Sequence, residues 1–486
     1  MAKKRSAFFT LEDIKIAFSL FCCVLGIGTL GMPSDFSRAG PTLGFSALIF
    51  MTYANIYASV ACSKVMLLAP SWVKTFSDLG EWSMGKAGRY AVLVSQMSVC
   101  ILTPCVFLVL GGNLLQSLFP ETFSQSIWII FMALSILPLC LTPTLKESAG
   151  ATLAGCAGTL VADSIAVVLL VTGMSGHPPV PKPDLNFEQV AGAFGNLCLA
   201  FGAGIIIPSL QNEHSEPTRM PRLVFCTMAL ISCLFMALAF AGYSAVGCQI
   251  SGNLLFSIFP DSSGLTALGF RPNKGAAVVA FMFMQMHVSI AFFVFLHPAF
   301  FCFERLVLGM HKQKGNPNST RYNDLDTPSR MAERSNSKRG SSKYSLVIVV
   351  GDENEEELVS EYRRPDVIVK YVALRMTIIS ILVVVAIVCR SHLNAFMDFI
   401  GASCQSICCI VLPISFYLKK MWPHVPLYEK IPAIITIIAC SVLACYVTYT
   451  SGRDMLFPAQ NMPPFPFCAP EFESKLYYNV SAIVNE

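Results

Sequence analysis

The chain has 486 residues, 54% hydrophobic and 13% charged, with a mean hydropathy of +0.60, whereas an ordinary soluble domain carries roughly 25% charged residues. Lipid must cover most of its outside, which excludes a soluble enzyme. A net charge of +4 is too small to mark a nucleic-acid surface.

Eleven transmembrane helices are expected, at about 14–39, 42–64, 89–118, 126–144, 149–174, 189–211, 222–246, 276–302, 367–389, 395–418 and 430–450. An all-α integral membrane fold follows, since a barrel would show short alternating strands. The opening MAKKRSAFFTLEDIKIAF has no short apolar run with a small-residue cleavage site, so the first span is expected to stay.

In span 1 an apolar run meets Gly26, Gly28, Thr29, Leu30, Gly31 and Pro33, which should unwind the helix at membrane depth. Asn113 and Gln116 near the end of span 3, with Asn196 and Gln285 further on, could contact a bound side chain or simply bond between helices. Span 5 holds Asp163, read as the one carboxylate well inside a span. Such a group is costly as an ion and defaults to function, although a satisfied structural acid is the competing reading. Span 6 is interrupted by Phe201, Gly202, Ala203, Gly204 and Pro208, and just beyond it Glu213 and Arg219 are inner-gate candidates or a solvated helix end.

Span 7 ends at Cys248, span 8 carries His287, Ser289 and His297, and residues 308–364 change to a Ser-rich and then acidic composition too polar to pack a core. This stretch reads as a disordered cytoplasmic loop that could dock cytoplasmic regulators or serve as a solvated linker. Arg375, early in span 9, is expected to snorkel to the aqueous face. After span 11 a Pro-rich tail contains Asn479, a glycosylation acceptor, and Cys468, which could pair with Cys248 on an oxidising side. The other cysteines, such as Cys22, Cys23, Cys408 and Cys409, read as packing residues; no metal-ligand spacing appears.

With the N-terminus inside, 26 Lys and Arg fall on the inner side and 7 outside, which sets N-in, C-out. The two interruptions lie five spans apart, so the halves holding them enter the membrane in opposite directions, the arithmetic of an inverted repeat. The expected organisation is a cytoplasmic 1–13, a first five-helix repeat at 14–174, a second at 189–418 interrupted by 308–364, helix 11 at 430–450, and an extracytoplasmic tail at 451–486. Glycine clusters can serve only close packing. Two matched clusters at membrane depth instead favour a binding site, because unwound backbone must line a cavity or be buried in protein. Helix N-termini near Gly28 and Gly31 suit a carboxylate, and carbonyls near Phe201 to Ala203 suit an ammonium. A zwitterionic amino acid fits both poles.

The motifs GIGTLGMP, TFSDLGEWSMGKAGRY, ILPLCLTPTLKES, FGAGIIIPSLQNEHSEPTRMPR and MHVSIAFFVFLHPAFFCFE resemble the amino acid/auxin permease family over most of the chain. The resemblance implies a LeuT-type 5+5 inverted repeat with an eleventh helix, moving amino acids by alternating access with a proton or, in some branches, sodium. It also implies that helix 8 faces helix 1, and His287, Pro298 and Glu304 match the proton-coupled members. Asp163 and His287 are therefore the proton candidates, while sodium would need helix 1 carbonyls and the Ser289 hydroxyl.

The expected function is secondary transport of neutral amino acids, with a proton as the driving ion, no cofactor and no catalytic machinery. An amino-acid sensor of the same fold, signalling through its loop, and a sodium-coupled or facilitative amino-acid transporter are the alternatives. The plasma membrane and a vacuolar or lysosomal membrane both remain open.

Overall fold

The computed structural model describes residues 9–142, 148–250, 252–310, 362, 364–457 and 463–478. Asn479 and nearly all of the 308–364 segment lie outside them. Helix α1 (Leu11–Val24) starts at a capping box in which the Thr10 hydroxyl accepts from the Asp13 N–H and the Asp13 carboxylate from the Thr10 N–H. It stops at Leu25 and Gly26, whose backbone is extended. Helix α2 (Ile27–Leu68) turns at Gly40, where φ is +72°, a conformation open to glycine but costly for other residues. The surface helix α3 (Phe76–Met84) leads into α4 (Lys86–Leu118); Gly80 and Gly88 let the two touch backbone to backbone, since a Cβ on either would lie within 3 Å of the other's carbonyl.

Then follow α5 (Gln125–Cys140), α6 (Ser148–Gly173), α7 (Phe187–Ala200), α8 (Ile207–Glu213), α9 (Met220–Val246), α10 (Leu254–Ile258) and α11 (Lys274–Phe303). The last long helices are α12 (Pro365–Cys389), α13 (Leu393–Ile400), which runs through two π-turns at 401–411 into α14 (Leu412–Met421), and α15 (Leu427–Leu456). Seven segments among the described residues are long and apolar enough to cross a membrane, with Gln125–Cys140 as a shorter apolar helix. Helices α1, α2 and α9 pack with the 402–447 region in one apolar cluster; α4, α5, α6, α11 and α12 form a second. The two breaks lie at 25–26 and 201–206, and their buried residues Leu25, Phe201, Ala203 and Ile205 belong to the first cluster.

Two readings of the charged residues need correction. Arg375 does not reach water. It is fully buried, with Nε 2.7 Å from Glu304 Oε1 and Nη1 donating to the Cys140 and Thr142 carbonyls that end α5, and it stacks 5.0 Å from the Phe300 ring. A guanidinium matched to a buried carboxylate and to orphan helix-end carbonyls is more stable inside than on a long reach to the surface. Asp163 is also not alone at depth, because Asp35, Asp398 and Glu304 are each at most 3% exposed. The roots of the long loop are packed too: Met310, Tyr362 and Tyr371 form a small apolar cluster beside Arg375.

On the face opposite the N-terminus, Cys248 and Cys468 are joined by a disulfide with Cα atoms 5.2 Å apart. The described tail residues lie across this face, with Gln249 Nε2 donating to the Phe472 and Lys475 carbonyls and Phe467 stacked on Arg38.

Candidate functional site

Both breaks open on one cavity of about 120 Å³, walled by Gly26 and Gly28, by Leu199 to Ile206, by α4 from Gln96 to Phe107, by α11 from His287 to Pro298, and by Gln405. Glycine is required where the broken helices meet. A Cβ on Gly28 would lie 2.5 Å from that of Ala200, so the first turn of α2 and the last turn of α7 touch directly. In the first turn of α2 the Thr29 N–H donates to the Gly26 carbonyl, while the N–H groups before it and the carbonyls that end α7 are left over by the helix geometry. The cavity therefore sees a positive helix end and a negative one side by side.

Behind this wall, Asp163 is 3% exposed and neither carboxylate oxygen has a hydrogen-bond partner. The Thr29 hydroxyl lies beside it and donates 2.8 Å to the Gly26 carbonyl, which ties the acid to the helix break. His287 lines the cavity on the same side, its Nε2 facing Gly26 and its Nδ1 beside Gly155. Asp163 and His287 thus flank the break from α6 and α11. Ser289 is not with them: its hydroxyl donates 2.9 Å to the Gln285 carbonyl of its own helix, and it does not line the cavity.

Of the backbone residues expected to bind substrate, Gly26, Gly28 and Gly202 reach the cavity. Thr29 turns to Asp163, Leu30 packs in the second apolar cluster, and Gly31 lies against Asn196. Phe201 is buried on the Phe235 ring 4.9 Å away, Ala203 is fully buried, and Gly204 is pressed on Cys409. These are the back of the wall, as a helix exposes only one side to any cavity. Asn113 accepts from Gln125, Gln116 is exposed, and Gln285 does not line the cavity.

Above the cavity, on the face away from the N-terminus, Arg38 Nη2 lies 2.8 Å from Asp398 Oδ2, and Asn196 Nδ2 donates 2.7 Å to Asp35. The crossing is tight because Gly195 and Gly401 leave no room for a Cβ. On the N-terminal face, Asp13 Oδ1 lies 2.7 Å from His214 Nε2 and Asp13 Oδ2 lies 2.6 Å from Arg219 Nη2, while Glu12 accepts from Ser215. Arg219 pairs with Asp13 on this face and also lies 3.5 Å from Glu216; Glu213 is exposed at the end of α8. Asp35, Arg38 and Asp398 were missed from the sequence, although charges inside apolar runs would have pointed to them, whereas Thr103 and Gln405 carried no signal.

The profile described as "Transmembrane amino acid transporter protein" matches residues 13–452. The chain belongs to this family. Among its relatives, the amino acid transporter AVT1I of Arabidopsis thaliana is 24% identical over 254 residues, covering 50% of this chain and 62% of the relative. Vacuolar amino acid transporter 4 of Saccharomyces cerevisiae is 23% identical, covering 52% and 37%. Amino acid transporter ANT1 of Arabidopsis thaliana is 19% identical over 92% of both chains. The chain thus spans less than two thirds of the length of the first two of these relatives. A crystal structure of MhsT in complex with L-phenylalanine shares 10% identity, covers 90% of this chain and 98% of that one, and gives a TM-score of 0.47. Family membership and the apolar helices make the chain a multi-pass integral membrane protein.

Proposed function

We propose that the chain is a proton-coupled symporter of neutral amino acids working by alternating access. The observation that carries this reading is Asp163, a buried carboxyl with no partner set behind the break that would hold the substrate. An unpaired carboxylate cannot be kept ionised in an apolar interior without a counter-charge, so it holds a proton or a cation. Ser289, the hydroxyl a sodium site was expected to use, is turned to its own helix instead.

The cavity wall includes no Asp, Glu, Lys or Arg among the described residues, which supports a substrate with a neutral side chain. Its α-carboxylate would take the N–H groups at the start of α2, and its ammonium the carbonyls that end α7. The Arg38–Asp398 pair would close one side and the Asp13 cluster the other, each opening in turn. Protonation of Asp163 acts on Thr29 and, through its bond to Gly26, on the geometry of the break. The positive-inside bias supports a cytoplasmic N-terminus. The vacuolar name of the yeast relative supports an internal membrane.

The test is uptake of a labelled neutral amino-acid panel into proteoliposomes, with the pH gradient imposed or collapsed and sodium replaced by choline. Accumulation that needs the pH gradient and ignores choline is the expected result. Accumulation that follows sodium alone, or none under any gradient, contradicts the proposal.

A further inference from the structure

Two polar atoms on the cavity wall are left unmatched. Thr103 on α4 and Gln405 in the first π-turn after α13 are each 3% exposed, and Thr103 Oγ1 and Gln405 Oε1 have no hydrogen-bond partner. Both residues line the cavity. The Gln405 amide is pressed by its nitrogen end against Gly202, where a Cβ would come within 1.9 Å of Nε2, so this side chain has little room to turn away. The rest of the wall is mostly apolar, with Val99, Phe107, Ile290 and Phe295, and it also carries Gln96 and His287. Buried polar atoms in native proteins are almost always satisfied, and a site that leaves them open is built for a ligand that closes them.

Resting on the transport reading above, we infer that the side-chain end of this cavity selects a carboxamide, so that glutamine and asparagine are the preferred substrates. The amide NH₂ donates to Gln405 Oε1, and the amide oxygen accepts from the Thr103 hydroxyl. A hydroxyl side chain can satisfy one of the two atoms. An aliphatic side chain of glutamine's size satisfies neither and leaves both desolvated, which is the situation in which polar sites reject apolar analogues most strongly.

The experiment is uptake of labelled glutamine and leucine into proteoliposomes by the intact protein and by Thr103→Val and Gln405→Leu, with substrate-induced thermal stabilisation as a second readout. The intact protein is expected to take up glutamine with kcat/KM roughly tenfold or more above leucine. Each variant should lose roughly tenfold in glutamine while keeping or raising leucine uptake, which also shows that it folds. Leucine preferred by the intact protein overturns the inference and leaves transport standing. Equal loss of both substrates in Gln405→Leu also overturns it, since that residue would then hold the ammonium common to all amino acids. If no amino acid is taken up or bound, the transport reading falls and this inference with it.

Discussion

Arg38 and Asp398 pair at 2.8 Å between α2 and α13, with side chains only 13% and 5% exposed, on the side of the paired helix breaks away from the Asp13 cluster. Breaking a buried ion pair from one side costs about 3–5 kcal/mol, because the remaining charge is stranded. Asp398→Asn should therefore weaken closure of this face. A cysteine placed at Ser34, which lines the small chamber beside the pair, should then react faster with a membrane-impermeant thiol reagent. Unchanged labelling would show that the pair does not hold this face shut.

The opposite face is latched through Asp13. Desolvation would push its carboxyl up, but hydrogen bonds from Thr10, His214 and Arg219 outweigh it and hold the group at about 2. A depressed acid contributes stability that is complete above its unfolded value of about 4 and is lost as pH falls toward the folded value. The Asp13 contribution is thus constant from pH 5 to 8, and pH dependence of uptake in that window must come from elsewhere. Asp13→Asn should loosen α1 and raise labelling of Cys22, which lines the cavity, without moving the pH profile of uptake. A shifted profile would place a titrating group of the mechanism in this cluster.

The Glu304–Arg375 pair joins the ends of α11, α12 and α5 beneath the roots of the long loop. Arg375→Met strands a buried carboxylate and should cost about 3–5 kcal/mol in unfolding experiments. Adding Glu304→Gln should recover part of that loss. If the double variant is no more stable than the single one, the cost lies in the stacking on Phe300 and not in the charge.

The Cys248–Cys468 bond closes a separation of 220 residues and places Phe467 over Arg38. Cys468→Ser should lower stability by about 2–5 kcal/mol, and it should increase labelling at Ser34→Cys in the same direction as Asp398→Asn. Lower stability with unchanged labelling would confine the disulfide to holding the tail.

The breaks were legible because Gly26, Gly28, Gly31 and Gly202 cannot be explained inside a lipid-facing helix, and their five-span offset is a property of the sequence alone. Which of these glycines face the cavity was not legible, since that depends on the roll of each half-helix against its neighbour; Gly31 and Gly204 serve packing against Asn196 and Cys409. Arg375 was misjudged for a related reason. A single arginine near a span end looks like one that reaches for water until Glu304, 71 residues away, is brought beside it. Thr103 and Gln405 could not be found from the sequence because ordinary polar residues in a span usually bond between helices.

The most direct test of the central claim is Asp163→Asn in proteoliposomes, which keeps the shape of the side chain and removes its proton. The account predicts that pH-gradient-driven accumulation is lost while exchange of internal for external amino acid continues. Gradient-driven accumulation at the level of the unaltered protein would contradict it.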